Sequence, residues 1–219
     1  MIPPKHNAAF VAQMEEILDL YTQPYDPKRP LVCMDERPMQ LLKETRRPLP
    51  VEPGKPARYE HEYERRGTAV HFLFTEPLAG WRKAHVRERK TAVDWAEEVR
   101  SLLEQDYPEA EKVVLVSDNL NTHRIASLYE AFRPEVARAL AARLEMRHTP
   151  KHGSWLNIAE CELSVLVSQC LDRRLGDIET VRRESTAWAR SRTAAQKTVD
   201  WQFTTADARI KLKHLYPHV

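Results

Sequence analysis

The strongest restriction on the fold comes from a short apolar run that ends in an acid. Residues 113–116 are all β-branched or aliphatic, and Ser117 and Asp118 follow directly. Such a run is typical of a strand that is buried on both faces in the middle of a mixed sheet. Enzymes with α/β folds commonly place chemistry at the ends of such strands, because the scaffold is rigid there. Asp118 is therefore a candidate functional residue, to which the fold should bring other carboxylates.

Length and composition predict a soluble globular protein with one sizeable domain. The chain has 219 residues, of which 42% are hydrophobic and 30% charged, and no apolar run approaches the roughly 20 residues of a membrane-spanning helix. The N-terminus has no apolar signal segment, so a cytoplasmic location without membrane contact is expected. Three cysteines without a C-x-x-C pair predict reduced thiols. Cys161, His148 and His152 are not expected to form a zinc site.

The charge pattern allows contact with a polyanion without requiring it. The net charge of +2 is too small to indicate a nucleic-acid-binding protein by itself. Basic residues nevertheless cluster along the chain, and each cluster alone could be a solvated surface. Together they could line a path for DNA, and the candidate phosphate contacts are Arg82, Lys83, Arg87, Arg147, Lys151 and His152.

The first half of the chain predicts a helix followed by three strands. Residues 8–21 repeat apolar side chains at helical spacing, and a proline-containing linker leads to a short strand at 31–34 that also ends in an acid, Asp35. Residues 68–74 and 81–87 predict a hairpin whose second strand lies at an edge. The proline-rich segment 46–59 is expected to form an extended, positively charged arm.

The second half alternates helices with strands. A helix capped by Thr91 precedes the strand at 113–116, and helices at about 124–132 and 134–144 follow it. A last strand is predicted at 144–148, with further helices at about 177–191 and 205–216. The expected division is an N-terminal helix and linker at 1–30, a core at 31–175 and a helical extension at 176–219.

A third acid stands out on a long helix at about 154–171. On a helical projection Glu160 falls inside the apolar stripe, whereas Glu162 points away from it. An ionised carboxylate that faces a core is costly unless it is paired, and a cation shared with other carboxylates is one solution. A salt bridge to Arg147 is another.

Simpler roles are open for the remaining candidates. Asp118 could cap the next helix, and Asp35 could be a solvated strand end. Glu36 and Glu162 are expected to be solvated neighbours of the candidate acids. Surface positions without a special role are expected for three histidines, His71, His85 and His214.

Three strands, a helix, a further strand and a later helix that carries an acid follow the order of a ribonuclease-H-like core. The predicted fold class is therefore α/β, with a ribonuclease-H-like mixed sheet flanked by helices. Acids on two neighbouring strands and on that helix would hold two divalent ions, which activate the attacking oxygen and stabilise the leaving oxygen in phosphodiester chemistry. Hard carboxylate oxygens suit Mg²⁺ or Mn²⁺.

Four motifs occur in a fixed order along the chain. They are Cys-Met-Asp-Glu at 33–36, Glu-Pro-Leu-Ala-Gly-Trp-Arg at 76–82, Ser-Asp-Asn-Leu-Asn-Thr-His at 117–123 and His-Gly-Ser-Trp-Leu-Asn-Ile-Ala-Glu at 152–160. Together they resemble the catalytic domain of bacterial insertion-sequence transposases related to mariner. The resemblance implies that the catalytic, metal-binding triad is Asp35, Asp118 and Glu160, and that the supporting residues are His123, Asn119, Asn157 and Trp155.

The resemblance also implies an activity and partners. Members cleave DNA at terminal inverted repeats with water and then join the freed 3′-hydroxyl to target DNA. The implied partners are double-stranded DNA, both transposon ends and target, and a second copy of the chain in a homodimer. The implied cofactor is Mg²⁺ or Mn²⁺, with two ions when DNA is bound.

Two departures from the family pattern are visible. Residues 119–159, 41 in all, separate Asp118 from Glu160, a longer spacing than is typical, so the helix predicted at 134–144 is interpreted as an insertion. Only about thirty residues precede the first strand, where members carry helix-turn-helix modules, so the chain resembles a catalytic half. The alternatives are a non-catalytic transposase remnant that binds DNA or dimerises, and a stand-alone nuclease of the same fold.

Overall fold

The computed structural model describes residues 2, 7–46, 53–54 and 61–217. The described strands are β1 (Leu31–Glu44), β2 (Tyr63–Glu76), β3 (Trp81–Arg87), β4 (Val113–Ser117) and β5 (Leu144–His148). They form one sheet in the order β3-β2-β1-β4-β5. β1 and β3 each pair antiparallel with β2, whereas β4 is parallel to both β1 and β5. The sheet is therefore mixed, as predicted.

Helices cover both faces of this sheet. In the described part of the chain they are α1 (Ala8–Tyr21), α2 (Ala92–Ser101), α3 (Ile125–Ala131), α4 (Pro134–Arg143), α5 (Ile158–Leu166), α6 (Ile178–Ala194) and α7 (Thr205–Lys211). Short π-helical turns extend α2 over Leu102–Asp106 and α5 over Val167–Leu171, and 3₁₀ turns occur at Ser154–Leu156 and Lys213–Leu215. Among the described residues no helix is both long and apolar enough to cross a lipid bilayer.

The two faces of the sheet support separate apolar clusters. On one face, alternate residues of the central strands pack with α2, α3 and α4 around the wholly buried Trp95. On the other face, the intervening residues of β1 and β4 pack against α1, and those of β2 and β3 pack against α5 and α6. The central strand β4 is thus buried on both sides, which explains why residues 113–116 are apolar at every position.

β1 is much longer than the sequence indicates. The expected end at residue 34 is wrong, because the strand passes through Asp35 and stays paired with β2 as far as Glu44 and Tyr63. Its second half is mostly exposed or half-buried, with Leu41 as its buried residue, and lacks a continuous apolar signal. Most of the expected basic arm at 46–59 lies outside the described residues.

The other elements agree with the predictions in kind. α1, β3 and β5 have the expected bounds, and Thr91 caps α2 through a reciprocal pair of hydrogen bonds with Asp94. The helix expected at 154–171 is divided into a 3₁₀ turn, α5 and a π-helical turn. The ribonuclease-H-like fold class is confirmed, and the division at residues 30 and 175 stays a prediction.

Candidate active site

The sheet register brings the two strand acids side by side. Cys33 on β1 pairs with Val116 on β4 in a parallel ladder, so Asp35 and Asp118 each follow two residues beyond these partners. Side chains of a strand alternate between its faces. Both acids therefore belong to the face of Cys33 and Val116, which is the face covered by α1 and the start of α5.

Asn157 fixes the start of α5 against β1. Its side-chain Oδ1 accepts a hydrogen bond from the backbone N–H of Ala159 (3.1 Å), and its Nδ2 donates to the carbonyl oxygen of Met34 (2.9 Å). Met34 directly precedes Asp35, and Glu160 lies in the first turn of α5. One buried side chain therefore ties the element that carries the third acid to the strand that carries the first.

The three acids influence one another electrostatically. Burial raises the pKa of Asp35 to about 6; a hydrogen bond from the backbone N–H of Glu36 opposes this shift, and the negative charges of Asp118 and Glu160 add to it. Oε2 of Glu160 is buried without a hydrogen-bond partner. A divalent cation would relieve both the repulsion and the unsatisfied oxygen.

His123 lies behind Asp118, between two carboxylates. Its Nδ1 is 2.6 Å from Oδ1 of Asp118, and its Nε2 is 3.0 Å from Oε1 of Glu36. The ring stacks on Trp95 with 5.9 Å between centroids. Burial favours the neutral ring, but the close contacts with Asp118 and Glu36 and their negative charges prevail and raise the pKa of His123 to about 9. At neutral pH the imidazolium donates to Oε1 of Glu36 and forms a close ion pair with Asp118.

Glu36 is not the solvated neighbour that the sequence suggests. Only 2% of its side chain is exposed. Because strand residues alternate between faces, Glu36 lies on the opposite face from Asp35, where α2 and α3 cover the sheet. The burial of Glu36 could have been predicted from the sequence, because alternate residues of a strand covered on both faces are all buried.

Two further supporting residues lie at the rim of the site. Asn119 is exposed directly after Asp118. Trp155 is half-buried and packs edge-on against Phe203, with 5.7 Å between ring centroids. It therefore anchors the 3₁₀ turn that leads into α5 rather than facing solvent.

Two of the expected phosphate contacts share a cavity with the second acid. The cavity measures about 410 Å³, and Asp118, Thr149, Lys151 and His152 contribute to its wall. Lys151 and His152 are both exposed. His152 has a backbone φ of 68°, in the left-handed region that non-glycine residues seldom adopt. This turn presents basic side chains to solvent next to Asp118.

Arg82 and Glu162 are buried, contrary to the predictions made for them from the sequence. The Arg82 side chain has no exposed surface and makes a two-point ion pair with Glu162, at 2.8 and 2.9 Å. Arg192 of α6 binds the same carboxylate at 3.1 Å. The expectation that Arg82 contacts phosphate is wrong, as is the expectation that Glu162 is solvated, because α6 covers both. The helical projection of α5 alone could not reveal this neighbour.

The other expected phosphate contacts are engaged in ion pairs within the protein. Lys83 binds Asp106 at 2.5 Å, and Arg87 binds three acids of α2. Arg147 binds Glu16 at 2.8 Å and also a neighbouring acid on β5, instead of the Glu160 partner considered from the sequence. These three side chains keep partial exposure at 20–30%.

His71 is buried, contrary to the expected surface position. Its Nε2 lies 3.1 Å from Oγ of Ser185 on α6. Burial is the main cause that lowers the pKa of His71 to about 4, and the positive charge of Arg37 adds to it against a backbone hydrogen bond. His85 and His214 are exposed as expected.

The donor set suits a hard divalent cation, although the oxygens are not gathered around one point. In the described ranges, no three acidic, histidine or cysteine side chains form a group that could hold a metal ion as they stand. The fit therefore rests on chemistry: the charges of Asp118 and Glu160 act against ionisation of Asp35, and a buried oxygen of Glu160 has no hydrogen-bond donor. Such oxygen ligands suit Mg²⁺ and Mn²⁺.

The comparison with protein families decides the assignment. A model of the family described as DDE superfamily endonuclease matches residues 30–182, more than half of the chain. The chain belongs to the DDE superfamily of endonucleases. The resemblance drawn from the four motifs is thereby confirmed at the level of this family. Among curated proteins, no sequence matches this DDE endonuclease.

Solved structures of the mariner transposase Mos1 share the fold of this chain. The Mos1 paired-end complex with Mg gives a TM-score of 0.59 at 15% identity, over 100% of this chain and 66% of that chain. The paired-end complex with Mn gives 0.54 at 16% identity, over 89% and 58%, and the strand transfer complex gives 0.56 at 16%, over 89% and 57%. The chain thus spans about three fifths of the length of these Mos1 chains.

Proposed function

We propose that the chain is the catalytic domain of a metal-dependent DNA transposase, which cleaves DNA at transposon ends and joins the freed 3′-hydroxyl to target DNA. Asp35, Asp118 and Glu160 would hold Mg²⁺ or Mn²⁺, with two ions once DNA is bound. The observation that carries the proposal is geometric: the parallel register of β1 and β4 sets Asp35 beside Asp118, and Asn157 ties the start of the helix of Glu160 to β1 next to Asp35. The shared fold with the Mos1 paired-end and strand transfer complexes supports it.

Divalent ions at this place would activate the attacking oxygen and stabilise the leaving oxygen of a phosphodiester. The protein's own side chains have other tasks. His123 orients Asp118 through a 2.6 Å contact, and Asn157 holds the helix of Glu160 against β1.

DNA would approach the site over the exposed turn that carries Lys151 and His152. Phosphate contacts of this kind fix the position of the duplex without reading its sequence, and they make the affinity depend on salt. We further propose a homodimer, because the paired-end complexes of Mos1 hold two transposon ends together.

The experiment is a strand-transfer assay in Mn²⁺, with a labelled DNA duplex that has a free 3′-hydroxyl and a supercoiled plasmid as target. The wild-type chain should join the duplex to the plasmid, and Asp118→Asn should not, while its thermal unfolding stays cooperative. Plasmid nicking without joining would indicate a stand-alone nuclease instead. No reaction in either protein would contradict the proposal and favour a non-catalytic remnant.

A further inference from the structure

Glu36 is a buried carboxylate that the catalytic triad does not use. It follows Asp35 on β1, yet its side chain projects to the other face of the sheet, where only 2% of it is exposed. Removing an ionised carboxylate from water costs several kcal/mol unless partners compensate it. The partners of Glu36 therefore indicate what its burial achieves.

Glu36 is joined to Asp118 through a single imidazole ring. Oε1 of Glu36 accepts from Nε2 of His123 at 3.0 Å, and Nδ1 of the same ring is 2.6 Å from Oδ1 of Asp118. The ring has no exposed surface and stacks on Trp95. Lys90 approaches the other oxygen of Glu36 only to 3.8 Å, too far for a hydrogen bond. His123 is thus the closest charged partner of Glu36.

The carboxylate of Asp118 is the group that this ring supports. Asp118 follows the last residue of β4, and 41% of its side chain is exposed, so its χ angles are not fixed by packing. Hydrogen bonds behind a ligating carboxylate set its orientation, and their loss typically lowers metal affinity about 10–100-fold.

We propose that Glu36 is a positioning residue, which fixes the ring of His123 and through it the orientation of the Asp118 carboxylate. Glu36 and His123 thereby connect β1, which carries Asp35, to Asp118 at the end of β4. They do so from the face of the sheet opposite to the proposed metal site. The inference rests on the proposed function, since it assigns Asp118 a divalent ion to hold.

An alternative role for Glu36 is purely electrostatic, in which its negative charge attracts the cation from a distance. Two variants separate these roles. Glu36→Gln keeps an oxygen at the right reach for His123 and removes the charge. Glu36→Asp keeps the charge but is one methylene too short for the 3.0 Å contact.

The experiment is a calorimetric titration of Mn²⁺ into the metal-free full chain, with thermal unfolding measured on the same samples. Glu98 offers a matched control. It is also wholly buried and pairs with a histidine, His85 at 2.5 Å, but on α2 and away from the triad. Glu98→Asp should cost stability and leave the Mn²⁺ affinity unchanged.

If Glu36 is a positioning residue, Glu36→Asp should bind Mn²⁺ about 10–100-fold more weakly than the wild type. The Mn²⁺ affinity of Glu36→Gln should stay within about threefold of the wild-type value. The opposite order would overturn the inference in favour of charge, and unchanged affinity in Glu36→Asp would overturn it outright. If Glu36→Asp does not fold, Glu36→Ala and His123→Asn provide the same comparison with Glu36→Gln. Should the wild type itself show no binding that depends on Asp118, the proposed function fails first, and the inference fails with it.

Discussion

At the scale of single residues, the ion pair of Arg82 with Glu162 gives the clearest stability prediction. Burial raises the pKa of Glu162, but Arg82 and Arg192 outweigh burial and hold it below its usual value. Removing one partner of a buried pair costs about 3–5 kcal/mol, and Arg192 remains here, so Arg82→Met should lower the free energy of unfolding by about 3 kcal/mol in urea titrations.

An exposed pair on α2 supplies the comparison. Arg100 contacts Glu104 four residues on, and both side chains are almost half exposed. Arg100→Ala should cost at most about 0.5 kcal/mol. Equal losses for Arg82→Met and Arg100→Ala would contradict the buried position of Arg82.

The lowered pKa of His71 should make the free energy of unfolding depend on pH. Its folded pKa is lowered to about 4 from an ordinary value of 6.5, so below pH 6.5 the unfolded chain takes up a proton there that the folded chain does not. The stabilising effect of folding around neutral His71 is complete above pH 6.5 and is lost as pH falls toward 4, by up to about 3 kcal/mol.

The measurement compares wild type with His71→Asn by urea unfolding at several pH values between 7 and 4. The difference in unfolding free energy should shrink steadily as pH falls through this window. A constant difference would show that His71 has the same pKa in both states.

At the scale of elements, the placement of α5 depends on its capping residue, Asn157. Asn157→Ser keeps a side-chain acceptor for the helix cap but cannot reach the carbonyl oxygen of Met34. The expected loss of stability is about 1 kcal/mol, while the rate of DNA cleavage should fall about 10–100-fold, because small displacements of a reacting group are costly.

Asp177→Ser is the control for this change, since it alters the capping residue of α6 without touching the three acids. It should leave the cleavage rate at the wild-type value. If both cap variants slow cleavage equally, or neither does, the special role of Asn157 in aligning Glu160 is refuted.

Elements were predictable from sequence where a single periodic pattern governs them. α1, β3 and β5 have repeating or bounded apolar patterns, and their limits match the structure. The far half of β1 has no such pattern, because it pairs with β2 along its length while only Leu41 of its residues is buried in the core. The two faces of α5 could not be separated either, since the second buried face exists only because α6 packs there.

The candidate site likewise contains residues that local sequence patterns indicate and residues whose contacts depend on distant segments. Its three acids were chosen from local signals, namely strand ends and a polar residue in an apolar stripe, and their joint role stays a prediction. The partners of Glu36 and Arg82 lie 87 and 80 residues away along the chain, so these ion pairs could not be predicted, although strand alternation indicated the burial of Glu36. Long-range ion pairs of this kind leave no trace in a periodic pattern.

At the scale of the whole molecule, the net charge is only +2, so the proposed DNA affinity should come from cations placed along the DNA path rather than from the overall charge. Each phosphate contact contributes about one unit to the slope of log affinity against log salt concentration. Lys151→Ala should reduce that slope by about one, measured by fluorescence anisotropy of a labelled duplex in increasing salt.

Lys83→Ala is the matched control, because Asp106 already binds that ammonium group at 2.5 Å. Its slope should equal that of the wild type. A reduced slope for Lys83→Ala with none for Lys151→Ala would move the DNA path from the cavity beside Asp118 to the β3 edge.

The proposed activity requires that the three acids bind a cation together. Calorimetric titration of Mn²⁺ into metal-free wild type and into Asp118→Asn tests this, with thermal unfolding as the check that both chains are folded. We expect saturable binding in the wild type and its loss in Asp118→Asn, since the asparagine removes one anionic oxygen ligand. Equal binding in both proteins would place the cation elsewhere and contradict the assignment of Asp35, Asp118 and Glu160 as its ligands.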